Sequence, residues 1–179
     1  MARLLIVGGG CRGEQLAEEA VGEAHAARIV TRAEGRRARI EAVGAECLIG
    51  DPNRLGTLRG ALEGVTIACW LLGTASGPDE QLRELHGARL RAFLESAIDT
   101  TVRGVLYEAA GTVAEATLAA GERIAAEVAG ANAMPLAILR SDPRELPGWL
   151  ERARATVDSL LGSSPPAPVP DTLSWSNHP

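Results

Sequence analysis

Residues 4–13 read Leu4-Leu5-Ile6-Val7-Gly8-Gly9-Gly10-Cys11-Arg12-Gly13, so an apolar run leads directly into glycines spaced Gly-x-Gly-x-x-Gly. The next residues, 14–21, have helical periodicity, and the stretch therefore predicts a strand, a tight turn and the start of a helix. In such a turn Gly8 permits the bend, Gly10 lets the backbone approach a pyrophosphate, and Gly13 lets helix and strand pack closely. The free amides at the helix start, with Cys11 among the predicted cofactor-binding residues, would face phosphates. This context favours a dinucleotide-binding turn over an ordinary structural turn.

Apolar runs and amphipathic segments alternate along the rest of the chain. The predicted strands are residues 3–7, 27–31, 46–49, 65–72, 105–107 and 136–139, and the predicted helices are residues 13–22, 34–43, 55–62, 78–98, 113–130 and 144–161. Residues 65–72 are apolar without alternation, which suits a parallel strand covered on both faces. Six strands alternating with six helices predict an α/β fold, a Rossmann-type doubly wound parallel sheet with strand order 3-2-1-4-5-6.

The pattern predicts one folded domain over residues 1–162. Residues 163–179 begin with a proline-rich run, Ser163-Ser164-Pro165-Pro166-Ala167-Pro168-Val169-Pro170. Such a composition predicts a disordered tail that does not pack against the domain. The alternative for this segment is a docking peptide that includes Trp175 and His178.

Composition excludes several classes of function. The 179-residue chain has a net charge of −5, and all 18 basic residues are arginine. It lacks a basic run with interleaved aromatic residues, so nucleic acid is not an expected partner. No apolar run approaches the roughly 20 residues that span a bilayer, and no membrane association is expected. The three cysteines, Cys11, Cys47 and Cys69, lack metal-ligand spacing, which predicts free thiols, a cytoplasmic protein and no metal site.

The end of the second strand distinguishes between the two nicotinamide dinucleotides. An acidic residue there binds the ribose hydroxyls of NAD, whereas an arginine accommodates the 2′-phosphate of NADP. This strand ends at Thr31-Arg32, nineteen residues after Gly13, with Arg36 close behind and Arg12 inside the glycine turn. Guanidinium groups match phosphate oxygens in charge and geometry, so NADP(H) is favoured over NAD(H). The alternative is a solvated basic helix face over residues 32–39.

These segments together resemble the atypical short-chain dehydrogenase/reductase superfamily, and within it the NAD(P)H-binding, NmrA-like group. The resemblance covers about residues 1–143 and is carried by Leu4–Gly13, Val30-Thr31-Arg32, Ile49-Gly50-Asp51 and residues 55–65. It implies that Asp51 lies on the adenine side of a cofactor, with a turn or helix-cap role as the alternative. It also implies that Leu72 and Gly73 line the cofactor cleft. Many relatives space the glycines Gly-x-x-Gly-x-x-Gly, which this chain does not.

The residues that the resemblance would assign to catalysis are missing. Members that reduce carbonyls use a Tyr-x-x-x-Lys pair and a serine after strand five, but this chain has no lysine. Its only tyrosine, Tyr107, lies within strand five. Tyr107 is a candidate proton donor, and the alternative is that its aromatic ring simply packs in the core. The remaining candidates for a catalytic residue are Glu108, at the end of the strand, and Thr112. The alternative for Thr112 is that its side chain caps the following helix. We expect His25 and His86 to face solvent.

Three functions remain open from the sequence. The favoured one is a cofactor-sensing or regulatory module without standard dehydrogenase catalysis, acting with a protein partner or as a homodimer. The resemblance implies that such a dimer would form through residues 78–98 and 113–130, although nothing in the sequence requires it. The second is a small NADPH-dependent oxidoreductase with a non-standard active site, since hydride transfer depends mainly on how the cofactor is oriented. The third is a degenerate fold that binds no dinucleotide. Whether the protein is an enzyme is left open. Relatives with a substrate domain continue beyond strand six, so we expect a poorly covered cleft.

Overall fold

The computed structural model of this chain describes residues 1–163, so residues 164–179 of the predicted tail lie outside the described part. The described residues form one six-stranded sheet in which every neighbouring pair is parallel. The strands are β1 (Arg3–Gly8), β2 (Ala26–Thr31), β3 (Glu46–Ile49), β4 (Ile67–Leu71), β5 (Gly104–Glu108) and β6 (Leu136–Leu139). Their order, β3-β2-β1-β4-β5-β6, confirms the predicted Rossmann-type topology.

Six helices cover the two faces of the sheet. They are α1 (Gly10–Gly22), α2 (Arg37–Ala42), α3 (Asp79–Glu84), α4 (Leu90–Ile98), α5 (Glu115–Ala131) and α6 (Leu146–Gly162). Helices α1, α2 and α6 bury Leu16, Ile40 and Trp149 in a core on one face. Helices α4 and α5 bury Phe93 and Val128 in a second core on the other face. Burial on both faces explains why β4 is apolar throughout.

Two predicted helices are shorter than the sequence indicates. The segment after β3 forms only a 3-10 turn, Leu55–Leu58, and Gly60 adopts a left-handed φ of 78° soon afterwards. A glycine in that conformation ends a helix rather than extending it. The segment predicted over residues 34–43 divides into a 3-10 turn, Glu34–Arg36, and the six-residue α2.

The long helix predicted over residues 78–98 is interrupted. Residues Leu85–Arg89 form a π-helical turn between α3 and α4, and Gly87 departs from helical geometry with φ −108° and ψ −105°. This insertion changes which side chains face the sheet. His86, which we expected to face solvent, is therefore buried, with 1% of its surface exposed. Within residues 1–163 no helix has the length and apolar character needed to cross a membrane.

Candidate functional site

Three successive glycines shape the turn between β1 and α1. Gly8, Gly9 and Gly10 all have positive φ values, of 86°, 78° and 54°. Gly9 caps the helix, and its carbonyl accepts hydrogen bonds from the amides of Arg12 and Gly13 at 3.0 and 3.1 Å. Within residues 1–163, the amides of Gly10 and Cys11 donate to no backbone carbonyl. The start of α1 therefore presents two free N–H groups at its positive end.

The three glycines of the Gly-x-Gly-x-x-Gly pattern have different surroundings. A Cβ atom on Gly8 would collide with the side chain of Leu72, and one on Gly13 would lie 2.8 Å from the Gly8 carbonyl oxygen. A Cβ atom on Gly10 would have only Arg36 Nη1 nearby, at 3.7 Å. The outer two positions are thus filled by the protein's own atoms, whereas the middle glycine borders open space.

That open space is a cleft of about 340 Å³ at the carboxyl edge of the sheet. It lies where the strand order reverses between β1 and β4, the position at which open α/β sheets bind ligands. Six of the residues predicted to bind a cofactor line it: Gly8, Gly10, Thr31, Arg32, Arg36 and Leu72. The turn and the end of β2 are therefore brought together as the sequence predicts.

The two predicted arginines at this cleft differ in their partners. Arg36 pairs with Glu14, with Nη2 2.5 Å from Oε1, and Arg39 bonds the other oxygen of Glu14 at 2.9 Å. Glu14 is 5% exposed, so two guanidinium groups compensate its buried charge. Arg32 is exposed and makes no hydrogen bond or salt bridge within residues 1–163. Arg32 is therefore the guanidinium at the cleft that remains available to a ligand.

Arg12 does not line this cleft and extends instead towards the end of β5. Its Nη2 lies 3.0 Å from Glu108 Oε1 and 3.2 Å from Thr74 Oγ1. Its guanidinium carbon lies 5.0 Å from the centre of a Trp149 ring. The sequence gives no signal for the contact with Trp149, which is fully buried and lies far along the chain from Arg12.

Glu108 is the centre of this cluster and is fully buried. Besides Arg12, its carboxylate accepts hydrogen bonds from the Gly73 amide and from Trp149 Nε1, both at 2.9 Å. Burial raises the pKa of Glu108, and the charge of Arg12 and the hydrogen bonds act in the opposite direction. These three donor groups leave the carboxylate little freedom to meet a substrate.

Tyr107 lies on the opposite face of the sheet from Glu108, in the core beneath α5. Its hydroxyl lies 2.8 Å from His86 Nδ1 and 3.1 Å from the Leu118 carbonyl oxygen, while His86 Nε2 lies 3.2 Å from the Leu72 carbonyl oxygen. Burial raises the pKa of Tyr107 and lowers that of His86. The alternation of side chains along a strand separates this pair from Glu108.

Asp51 follows β3 at the start of a turn, and Thr112 lies in the segment between β5 and α5. Thr112 is exposed, and Ala114 rather than Thr112 caps α5, so the cap interpretation is wrong. Asp51 Oδ1 accepts a hydrogen bond from the Asn53 amide at 3.0 Å, as in a turn. Its neighbours Gly50 and Pro52 line the cleft.

Two further predicted residues of the site flank it. Cys11 is exposed, and its Sγ lies 3.6 Å from Arg39 Nη2. Gly73 contacts the chain after β5: a Cβ atom there would collide with the Ala110 carbonyl. The structure therefore places the side chain of Cys11 on the outer side of α1, and it places Gly73 where the segments after β4 and β5 are in contact.

The arrangement is a Rossmann-like α/β fold with a cleft at its switch point, and solved structures share it. Vestitone reductase from alfalfa (Medicago sativa) has a TM-score of 0.61 at 14% identity, covering 78% of this chain and 56% of its own. UDP-glucuronic acid 4-epimerase from Bacillus cereus, solved in complex with NAD, has a TM-score of 0.63 at 14% identity, with the same coverage of 78% and 56%. A short-chain dehydrogenase/reductase-type protein from Corynebacterium glutamicum has a TM-score of 0.64 at 14% identity, covering 87% and 91%.

These likenesses establish the fold. The chain spans about half the length of the first two proteins, 56% in each case. No family model matches the chain, and no curated protein does so.

Proposed function

We propose that this chain binds NADP(H) in the cleft and acts as a cofactor-sensing or regulatory module without standard dehydrogenase catalysis. The observation that carries the proposal is the pair of free amides on Gly10 and Cys11, at the start of a helix that opens onto the cleft. Backbone N–H groups at a helix N-terminus bind the oxygens of a diphosphate. Gly10 leaves room for that approach, and Gly8 and Gly13 hold the turn in place.

The preference for NADP(H) rests on Arg32. This exposed guanidinium follows β2 directly and lines the cleft, where the 2′-position of an adenosine ribose would lie. Thr31 and Ala33 flank it, so the tip of the strand carries no carboxylate that would repel a phosphate. Arg36 lies nearby and would contribute positive charge, although Glu14 already pairs with it. Leu72, Gly73 and Asp51 would complete the walls of the site.

The proposed absence of dehydrogenase catalysis rests on the side chains around β5. The chain has no lysine to pair with a tyrosine, and Tyr107 is buried with its hydroxyl hydrogen-bonded. Glu108 is enclosed by donors and by Trp149. Thr112 is the one exposed candidate of the three. A proton donor of the kind that tyrosine supplies in carbonyl reduction is therefore not built here.

We also propose that the chain belongs to the atypical short-chain dehydrogenase/reductase superfamily, in its NmrA-like group. The glycine turn, the end of β2 and the Gly50-Asp51 turn support this assignment. Proteins of the short-chain dehydrogenase and epimerase types share the fold over more than three quarters of this chain. A protein partner or a second copy of the chain would be the recipient of the signal.

Isothermal titration calorimetry with NADPH and NADH tests the binding. We expect NADPH to bind more tightly than NADH, and Gly10→Asp to abolish binding of both because its carboxylate would occupy the phosphate position. Gly148→Asp is the matched control, since it adds the same side chain at an exposed site in the first turn of α6 with no atom within 4 Å. If neither NADPH nor NADH gives a heat of binding, the proposal is wrong.

Turnover is measured separately. Incubating the protein and NADPH with a panel of carbonyls and quinones should give no oxidation above the rate of the Gly10→Asp variant. Steady oxidation that this variant abolishes would replace the sensing function with that of a small NADPH-dependent oxidoreductase.

A further inference from the structure

The carboxyl edge of the sheet has two halves, and the cleft occupies only one of them. In a dinucleotide-binding sheet the strands on each side of the switch point hold one mononucleotide each. Here the cleft is lined by the ends of β1, β2 and β3, by residues 71, 72 and 74–76 at and after the end of β4, and by Gln81, Leu82 and Leu85. Among residues 1–163, none that follows β5 or β6 lines it.

The edge between β4 and β5 is closed by main chain. A Cβ atom on Gly73 would collide with the Ala110 carbonyl, and one on Gly111 would collide with the Gly73 carbonyl. The Val113 amide donates to the Gly73 carbonyl at 3.0 Å, which holds the two segments together. Two backbones at this separation leave no space for a ligand between them.

The Arg12–Glu108 ion pair fills the adjoining part of the same edge. Arg12 extends from α1 to the end of β5 and lies over Trp149, and its Nη2 also bonds Thr74. The segment after β5 is tied to β6 as well, because the Ala109 amide donates to the Leu139 carbonyl at 2.9 Å. Opening this half would expose the buried charge of Glu108, which is energetically costly.

We infer that the site recognises the 2′-phosphorylated adenosine diphosphate part of its ligand and makes no contact with the nicotinamide. This inference rests on the proposed function and specifies which part of the dinucleotide is bound. The nicotinamide and its ribose extend from the pyrophosphate into solvent. The protein consequently binds the oxidised and reduced cofactors equally, and it also binds 2′-phosphorylated adenine nucleotides that lack nicotinamide.

Calorimetry on the unmodified protein with four ligands tests the inference: NADPH, NADP⁺, 2′-phospho-ADP-ribose and nicotinamide mononucleotide. We expect the first three dissociation constants to agree within fivefold, because the three ligands share the part that the cleft contacts. Nicotinamide mononucleotide should give no heat at concentrations that saturate the site with NADPH. Gly10→Asp, with Gly148→Asp as control, shows that the heat comes from the cleft.

The outcomes separate this inference from the proposed function. If NADPH binds but 2′-phospho-ADP-ribose binds more than fivefold more weakly, the nicotinamide is contacted, and the inference fails while the proposed function stands. If the dissociation constants of NADPH and NADP⁺ differ by more than fivefold, or if nicotinamide mononucleotide binds, the inference likewise fails while the proposed function stands. If none of the four ligands binds, the proposed function fails and the inference fails with it.

Discussion

Arg12 Nη2 lies 3.0 Å from Glu108 Oε1, which joins the first turn of α1 to the end of β5 across 96 residues of sequence. The carboxylate is fully buried and the guanidinium nearly so, at 0% and 14% side-chain exposure. This pair therefore holds the two halves of the sheet's carboxyl edge together.

Replacing Arg12 by methionine should destabilise the protein strongly. The substitution leaves Glu108 charged and buried without its cationic partner, a change that costs about 3–5 kcal/mol in comparable sites. Urea denaturation at pH 7 measures it. The control is Arg91→Met, which removes an exposed guanidinium paired with Glu127 and should change the free energy of unfolding much less. Equal effects of the two substitutions would contradict this account of Glu108.

The cost of Arg12→Met should depend on pH. Burial raises the pKa of Glu108, so the folded protein binds a proton that the unfolded chain has already released, and stability falls as pH rises between the two pKa values. Without Arg12 the folded-state pKa should rise further. The destabilisation by Arg12→Met should thus shrink as the pH is lowered below neutrality and Glu108 becomes protonated. A cost that stays constant from pH 7 to pH 5 would show that lost packing, rather than charge, dominates.

Gly13→Ala should be destabilising although alanine favours helices. Its Cβ would lie 2.8 Å from the Gly8 carbonyl oxygen and 3.1 Å from Ile6 Cγ2, and such overpacking costs about 1–3 kcal/mol. Gly22→Ala in the same helix meets no atom within 4 Å and should be neutral or stabilising. Thermal or urea unfolding of the two variants gives the comparison. A Gly13→Ala variant as stable as Gly22→Ala would show that helix and strand can separate at no cost.

Arg32→Glu should reverse the preference between the two cofactors. Losing a hydrogen bond from a charged group costs about 1.5–3 kcal/mol, which corresponds to at least a tenfold loss of NADPH affinity. NADH lacks the 2′-phosphate and should lose much less. Arg59→Glu changes charge equally at an exposed arginine that does not line the cleft. Unchanged discrimination between NADPH and NADH in the Arg32→Glu variant would assign the phosphate contact elsewhere.

His86 should make the protein less stable in acid. Burial lowers the pKa of His86, so the unfolded chain takes up a proton at a higher pH than the folded protein does. Stability should therefore fall as pH decreases through about 6.5, by up to about 1.4 kcal/mol per pH unit. His86→Phe loses two buried hydrogen bonds and is less stable at pH 8, but its stability should depend less on pH. Parallel pH dependences of the two proteins would place the acid sensitivity at other groups.

The topology could be predicted from local patterns, whereas the polar clusters could not. Residues 4–13 and the apolar run of β4 are sufficient to predict a parallel sheet and its switch point, because burial on both faces imposes continuous apolar strands. Arg12 lies inside the glycine turn, which predicts a contact with phosphate. Its partners Glu108 and Trp149 are distant in sequence and meet only when β5 and α6 are assembled.

The interruption of the helix after β4 could not be predicted from the sequence either. Within the helix predicted over residues 78–98 no proline follows Pro78, so the π-helical turn at Leu85–Arg89 has no clear local signal apart from Gly87. The burial of His86 follows from that turn and from the Tyr107 hydroxyl beneath it. Such placements depend on tertiary packing, which outweighs the local preference of a polar residue for solvent.

The contact between Gly73 and Gly111 has a mechanical consequence. The backbones of Gly73 and Gly111 are in contact there, without an intervening side chain, and the Val113 amide donates to the Gly73 carbonyl. Moving residues 73–76 relative to residues 109–113 would therefore break this contact and this hydrogen bond. The second of these segments ends two residues before α5 begins. A shift of the cleft-lining residues 74–76 is thereby coupled to the start of α5 through a backbone contact and one hydrogen bond.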